Sequence, residues 1–486
     1  MITRHLFSLP SLRLALLGAL LPLVNIAAPQ NAAPIHGHLD ANRANYEAIA
    51  HQIWSWAEVG YQETRSSGLL QQALGDAGFT VTPGVADIPT AFIASYGSGG
   101  PVIAILAEFD ALPGVSQDAV TSPQPLEQGA AGHACGHHLF GTGSVAAAIA
   151  VRDWLNATGR PGTIRVYGTP AEEGGSGKVY MVRAGLFDDV DAVLHWHAAD
   201  RNSVWMSSSL ANKSAKFRFH GIASHAAAAP ENGRSALDGV EAMNHMVNLM
   251  REHVPSEARI HYVITRGGEA PNVVPAFAEV FYYVRHPDRA NAQAIWERVE
   301  DAARGAALGT GTTVDWEIIH GNYELLPNEA LGRAMQANFD AVGGVVYDDA
   351  ETQFAHELGR TFITGRPLSL DLASSVQPFN PNAPTMSGST DVGDVSWAVP
   401  TMGLRAATWV PGTSAHSWQA VACGGMSIGH KGMHVAAKTL ALTAADLFEQ
   451  PEVLAAAKAE WQRRRGEDFH YVPLLGDRAP PLDYRN

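Results

Sequence analysis

Apolar residues fall along this chain in two rhythms, and the change between them divides it. PVIAILAEFDALPG, residues 101–114, is a continuous apolar run ending in acidic residues and a Pro-Gly break, as in a buried parallel strand. LFGTGSVAAAIAVRDWLNATG, 139–159, has helical period and stops at Gly159. GTIRVYGTPAEEGG then predicts a second strand and loop, KVYMVRAGLF a short helix, and DAVLHWHAAD a third strand. Upstream, residues 40–80 read as helix, with Trp54, Trp56 and Tyr61 marking a buried face. Strands alternating with helices at this spacing predict an α/β fold, a mostly parallel sheet with helices on both faces.

The second rhythm is alternation. AKFRFHG, RIHYVITRGG, AEVFYYVRHP and TVDWEIIHG interleave apolar and polar residues, as half-exposed antiparallel strands do. Two amphipathic segments, SALDGVEAMNHMVNLMREHV and AIWERVEDAARGAALG, accompany them. Four strands and two helices predict a small α+β domain over 210–324. The first rhythm returns at NEALGRAMQANFDAVGG, so one larger domain, 34–209 and 325–486, is interrupted by an insertion. The charged, Pro-rich tail from EWQRRRGEDF onward is expected to wrap on the surface.

Composition narrows the function. A formal net charge of -15 over 486 residues argues against a nucleic-acid or anionic-membrane surface. Arg4 and Arg13 precede an apolar run, residues 14–28, too short and Pro-broken to span a membrane, followed by AAPQNAAP. Residues 1–33 therefore read as a secretory signal cleaved between Ala27 and Ala33, with a periplasmic or secreted mature protein that has no membrane segment. Export permits disulfides, and on these grounds a bond between the two cysteines, Cys135 and Cys423, stays open.

Ligands of open parallel sheets bind beyond the carboxyl ends of the strands. Three predicted strand ends carry metal-type side chains: Asp110, then Glu172 and Glu173, then His197. GHACGHHLFGTG adds Cys135 and His137, spaced so that one turn aims both at a common point, and GTSAHSWQ adds His416. Thiolate, imidazole and carboxylate together suit Zn²⁺, or Mn²⁺ if oxygen ligands dominate. Taken singly, each has a bland explanation: a surface histidine, a solvated acidic pair, a small buried cysteine. Their joint placement at strand ends argues for a metal site. Two further motifs weigh less. GMSIG, 425–429, fits a nucleophile elbow around Ser427 but lacks a good strand before it. GTGSVA, 141–146, fits a dinucleotide pattern, yet it follows the Cys/His cluster and has no acidic residue near position 160. A serine hydrolase and a periplasmic binding protein thus rank below a metalloenzyme.

AEFDALPG, GHACGH, TPAEEGGSGK, DAVLHWH, GIASHAAAAPENGRSALD, PNVVPAFAEVFYYVRHP, GSTDVGDVSW and GTSAHSWQ occur in that order between about residues 45 and 450. The series resembles the metallopeptidase family of aminoacylases, aminobenzoyl-glutamate hydrolases, carboxypeptidase G and plant auxin-conjugate hydrolases. The resemblance implies a catalytic domain with two divalent ions, Zn or Mn, and an inserted lid and dimerisation domain. It implies Cys135 as the bridging ligand, with His137, Glu173, His197 and His416 completing the set. Glu172 would be the general base and Asp110 a carboxylate orienting the site. His225 would reach a partner subunit's active site, while Asn272 and Arg285 would handle the substrate's carbonyl or carboxylate. The implied reaction is amide hydrolysis of an N-acyl or N-aroyl amino acid, p-aminobenzoyl-glutamate leading, with a carboxypeptidase or aminoacylase activity on other amides as the alternative. A homodimer, or pairing with a homologous subunit, is expected. The chain departs from the pattern at His138, where the family has Asp or Asn, and His138 is taken as a candidate outer partner of the ligands. As a ligand, Cys135 would not be free to pair with Cys423.

Overall fold

The computed structural model describes residues 32–363 and 367–485. The predicted signal segment lies outside these residues except for Ala32 and Ala33, which open the first helix. The strands in chain order are β1 Thr80–Pro83, β2 Phe92–Ser98, β3 Val102–Ala107, β4 Gly162–Gly168, β5 Ala192–Ala199, β6 Ser203–Val204, β7 Ala211–His220, β8 Arg259–Arg266, β9 Phe277–His286, β10 Thr313–Asn322 and β11 Thr401–Ala407. The helices used below are α1 His137–Thr158, α2 Gly177–Arg183, α3 Ala236–Met250, α4 Arg289–Thr310, α5 Val392–Ala398, α6 Trp418–Gly424 and α7 Ser427–Glu449.

The larger sheet runs β1-β2-β4-β3-β5-β11-β6. Its centre, β4-β3-β5-β11, is parallel, while β1, β2 and β6 add antiparallel edges. The continuous apolar runs seen in the sequence are these central strands, covered on both faces. Helix α1 is buried along most of its length because it lies between the sheet and α7. Its glycines make that approach possible: a Cβ on Gly143 would stand 3.1 Å from the Trp196 ring, and one on Gly141 2.7 Å from the Glu108 carbonyl. GTGSVA therefore serves helix packing, and HSWQAVACG forms α6, so Ser427 has no strand before it. Ser427, at the exposed start of α7, instead donates from Oγ to the buried Glu351.

The second sheet, β10-β7-β9-β8, is antiparallel throughout. One face is covered by α3 and α4, whose apolar stripes close a separate core around Phe217, Tyr282 and Trp296. Strand β9 alternates strictly between buried and half-buried positions, the period-2 signal of a one-sided sheet.

The tail does more than cover surface. Tyr471 donates from its hydroxyl to Asp394 Oδ1 at 2.7 Å. The Arg478 guanidinium grips the Ile318 and Ile319 carbonyls and Glu317 of β10, while Arg183 of α2 donates to the Arg478 carbonyl at 2.8 Å. Beyond it, the Tyr484 hydroxyl and the Arg485 guanidinium both donate to the Glu173 carbonyl.

Candidate metal centre

Four stretches of chain converge at the carboxyl ends of the parallel strands. Gly136, in the left-handed region at φ 77°, turns the chain from Cys135 into α1; a Cβ there would meet Ala198 at 2.4 Å. Cys135 and His137 thus flank a tight turn at the helix start. Strand β4 ends in the loop carrying Glu172 and Glu173, β5 carries His197, and His416 lies in the loop before α6. Ala171, Ser176 and His416 all take positive φ without being glycine, as do Ala57, Tyr61, Ala86 and Asp87 elsewhere.

The ligand atoms of Cys135, His137 and His197 all lie within 4.8 Å of one another, and so do those of Cys135, Glu173 and His416. Cys135 is common to both groups. A third group joins His137, Glu172 and Glu173. The imidazoles are aimed by hydrogen bonds at their far nitrogens. His197 Nδ1 donates to the Ala198 carbonyl at 2.8 Å, which turns Nε2 toward Cys135 Sγ, 3.5 Å away. His137 Nδ1 donates to Asp110 Oδ1 at 2.9 Å, and the other oxygen of Asp110 accepts the Glu173 backbone N–H at 2.9 Å. One carboxylate therefore fixes two of the candidate ligands.

The buried donors call for cations. His137 Nε2 and Glu173 Oε1 are buried with no hydrogen-bond partner, although Glu108 Oε2 lies 3.1 Å from the former and His416 Nε2 3.1 Å from the latter. Burial, then the nearby Glu173 carboxylate, pushes the Cys135 thiol well above its ordinary range. Burial pushes the Glu172 carboxyl well up too, with Glu108 and Glu173 adding to it. Burial holds His197 neutral, down to about 3. A thiol, two carboxylates and three imidazoles packed this way fit a site for two divalent ions, with Cys135 common to two of the donor groups.

Of the remaining expectations, only that for His138 is corrected. Cys135 and Cys423 are both free thiols. His138 touches no candidate ligand through its hydrogen bond: Nε2 donates to the Gly424 carbonyl at 3.0 Å and the ring packs on His133. His225 and Asn272 stand together, exposed, on the inserted domain. The N–H of Ala226 bonds the Asn272 carbonyl, and neither residue is on the wall of the cavity over the centre. Within one chain these two do not join the ligand set.

That cavity, about 630 Å³, is walled by Cys135, Glu172, Glu173, His197 and His416 on one side and by the second sheet on the other. Arg285 reaches it as expected, beside Asn212 and His320, neighbours on β7 and β10 that the sequence did not single out. The volume suits a small molecule. Beneath the centre is a buried ion triad also missed: Lys178 Nζ lies 2.7 Å from Glu108 Oε1 and 2.7 Å from Asp391 Oδ1. All three sit inside motifs quoted above, but nothing local pairs residues so far apart in sequence.

The profile of peptidase family M20/M25/M40 matches residues 104–441. The chain is 43% identical over 466 residues to the B subunit of p-aminobenzoyl-glutamate hydrolase from Escherichia coli (strain K12), covering 91% of this chain and 97% of that protein. It is 32% identical over 437 residues to Xaa-Arg dipeptidase of Mus musculus, covering 87% and 90%. Among solved structures, a dinuclear metal binding peptidase of the M20 family from Bacillus subtilis superposes with a TM-score of 0.56 at 19% identity, covering 84% of this chain and 99% of that one.

Proposed function

We infer the reaction from one premise: the chain belongs to peptidase family M20/M25/M40 and is a metal-dependent hydrolase of that family. It is proposed to cleave the amide bond of an N-acyl or N-aroyl amino acid, with p-aminobenzoyl-glutamate the first substrate to test. The observation carrying this reading is the pair of three-residue donor groups sharing Cys135. Two divalent ions held there would supply Lewis acidity toward the carbonyl and a water acidified to near-neutral pH. The Cys and His donors favour Zn²⁺ over Mn²⁺.

The chain's own residues divide the remaining work. Glu172 takes the proton from the attacking water and returns it to the leaving nitrogen, as base and then acid. Its raised carboxyl suits both roles. Glu173 is committed to ligation, and Asp110 keeps it and His137 in place. Arg285 clamps the substrate's α-carboxylate from the second sheet.

Residues 34–209 and 325–486 are taken as the catalytic domain, with 210–324 as lid and dimer contact. Strand β8 supports the contact. It is an outer edge, and Val263 and Ile264 on it are 55% and 40% exposed, beside Leu249 of α3 at 60%. Such an apolar edge invites a second copy, or a homologous chain, as the two-component Escherichia coli relative suggests. His225 and Asn272, away from their own cavity, would then serve the partner's. Export rests on the pattern of residues 1–33 alone.

Glu172→Gln tests the mechanism. Metal content per chain should be unchanged and kcat on p-aminobenzoyl-glutamate should fall about 10²–10⁴-fold. Full activity with metal bound would overturn the assignment.

A further inference from the structure

Three arginines line the cavity: Arg285, Arg405 and Arg485. Among the described residues, none of the three has an ion-pair partner within 4 Å, although ion pairs are common elsewhere in the chain. Arg285 is accounted for by the proposed clamp, and Arg485 is tied to the Glu173 carbonyl. Arg405 is unexplained. Its guanidinium lies 4.3 Å over the Trp205 ring, and its one polar contact is to the thioether of Met386 at 3.2 Å. Asp200 lines the same cavity and forms no ion pair with Arg405; its carboxylate is paired with Arg201 and accepts the Gly412 N–H.

The placement is firm. Arg405 stands on β11 in register with His197 on β5, so both side chains leave the same face of the sheet, one strand spacing apart. Trp205 lies edge-on to the His197 ring at 5.8 Å while carrying the guanidinium on its face. A stacked guanidinium keeps its N–H fork in the ring plane's direction and loses little freedom on binding a planar anion. A cation half-withdrawn from water without a carboxylate is costly unless a ligand supplies one.

We propose that Arg405 receives a second carboxylate of the substrate, so that the site selects N-acyl dicarboxylic amino acids. This rests on the amidohydrolase reading above. Arg285 on the lid would take the α-carboxylate and Arg405 on the fixed sheet the side-chain carboxylate, with the scissile amide between them at the centre. Neutral side chains would leave Arg405 unanswered, and basic ones would be repelled.

The test compares p-aminobenzoyl-glutamate with p-aminobenzoyl-glutamine, in metal-loaded wild type, Arg405→Met and Arg405→Lys. Wild type should prefer the glutamate by about 10–100-fold in kcat/KM, the scale of one charge-assisted pair. Arg405→Met should erase that preference, chiefly through KM on the glutamate, and leave the glutamine substrate within about threefold. Arg405→Lys should recover part of it. Equal losses on both substrates, or a wild-type ratio near one, would overturn the proposal. The wild-type ratio needs no variant to fold. If wild type cleaves neither substrate nor any other N-acyl amino acid, the amidohydrolase reading falls as well. If it cleaves both equally, only the role of Arg405 falls.

Discussion

Replacing Lys178 with methionine removes a fully buried ammonium from between two fully buried carboxylates, with little change in side-chain volume. Burial alone would pull the proton from this lysine. Asp391 first, then Glu108, reverse that and hold it charged above the ordinary lysine range. At the two 2.7 Å contacts, each attraction is about 6 kcal/mol for an effective dielectric near 20, offset largely by desolvation. Loss of the cation leaves two carboxylates uncompensated, which costs about 3–5 kcal/mol. For a domain of a few hundred residues this lowers the unfolding temperature by about 6–20 °C. Calorimetry of metal-loaded Lys178→Met against wild type measures it. Adding Glu108→Gln and Asp391→Asn removes the stranded charges and should recover at least half the loss. A single variant within about 2 °C of wild type, or a triple variant no better than the single, would refute the argument.

Asp394 offers a pH test. Burial raises its carboxyl to about 8, against the Tyr323 N–H and Tyr471 hydroxyl that favour the charged form. Because the folded-state value lies above the unfolded one, near 3.9, its stabilising share is full below about pH 4 and is lost as pH rises through 8. The slope reaches about 1.4 kcal/mol per pH unit. Asp394→Asn should therefore flatten the fall in unfolding temperature between pH 5 and 8; an unchanged profile contradicts this. For the proposed dimer, Val263→Asp on the exposed β8 edge should shift sedimentation from dimer to monomer and reduce activity at least tenfold, since the site that His225 is proposed to serve would be lost. A dimer that persists with full activity would remove β8 from the interface.

The convergence of the candidate ligands was legible because each follows an apolar strand or sits in a short spaced motif, so local pattern implied common placement. The antiparallel edges β1 and β2 were not, since four- and seven-residue strands between Gly-rich turns carry little periodicity. Longer-range partners were also beyond reach. His138 bonds a carbonyl 286 positions away, and the Lys178 triad joins three separate motifs. Arg405 was hidden for another reason. TMGLRAA reads as an ordinary buried strand, and only its register against His197 reveals which face the arginine takes.

Residues 478–485 link the inserted sheet to the catalytic loop. Arg478 is anchored on β10, and seven residues later Arg485 is anchored on the Glu173 carbonyl. Fully stretched, seven residues reach about 25 Å, and Arg183 and Tyr484 take up part of that length. The strap is thus a short mechanical linkage. Swinging the sheet away from the cavity must release Arg478 or drag the loop that holds Glu172 and Glu173. With the inserted domain as the proposed lid, admission of substrate and alignment of Glu172 would become one coordinate, coupled through this strap.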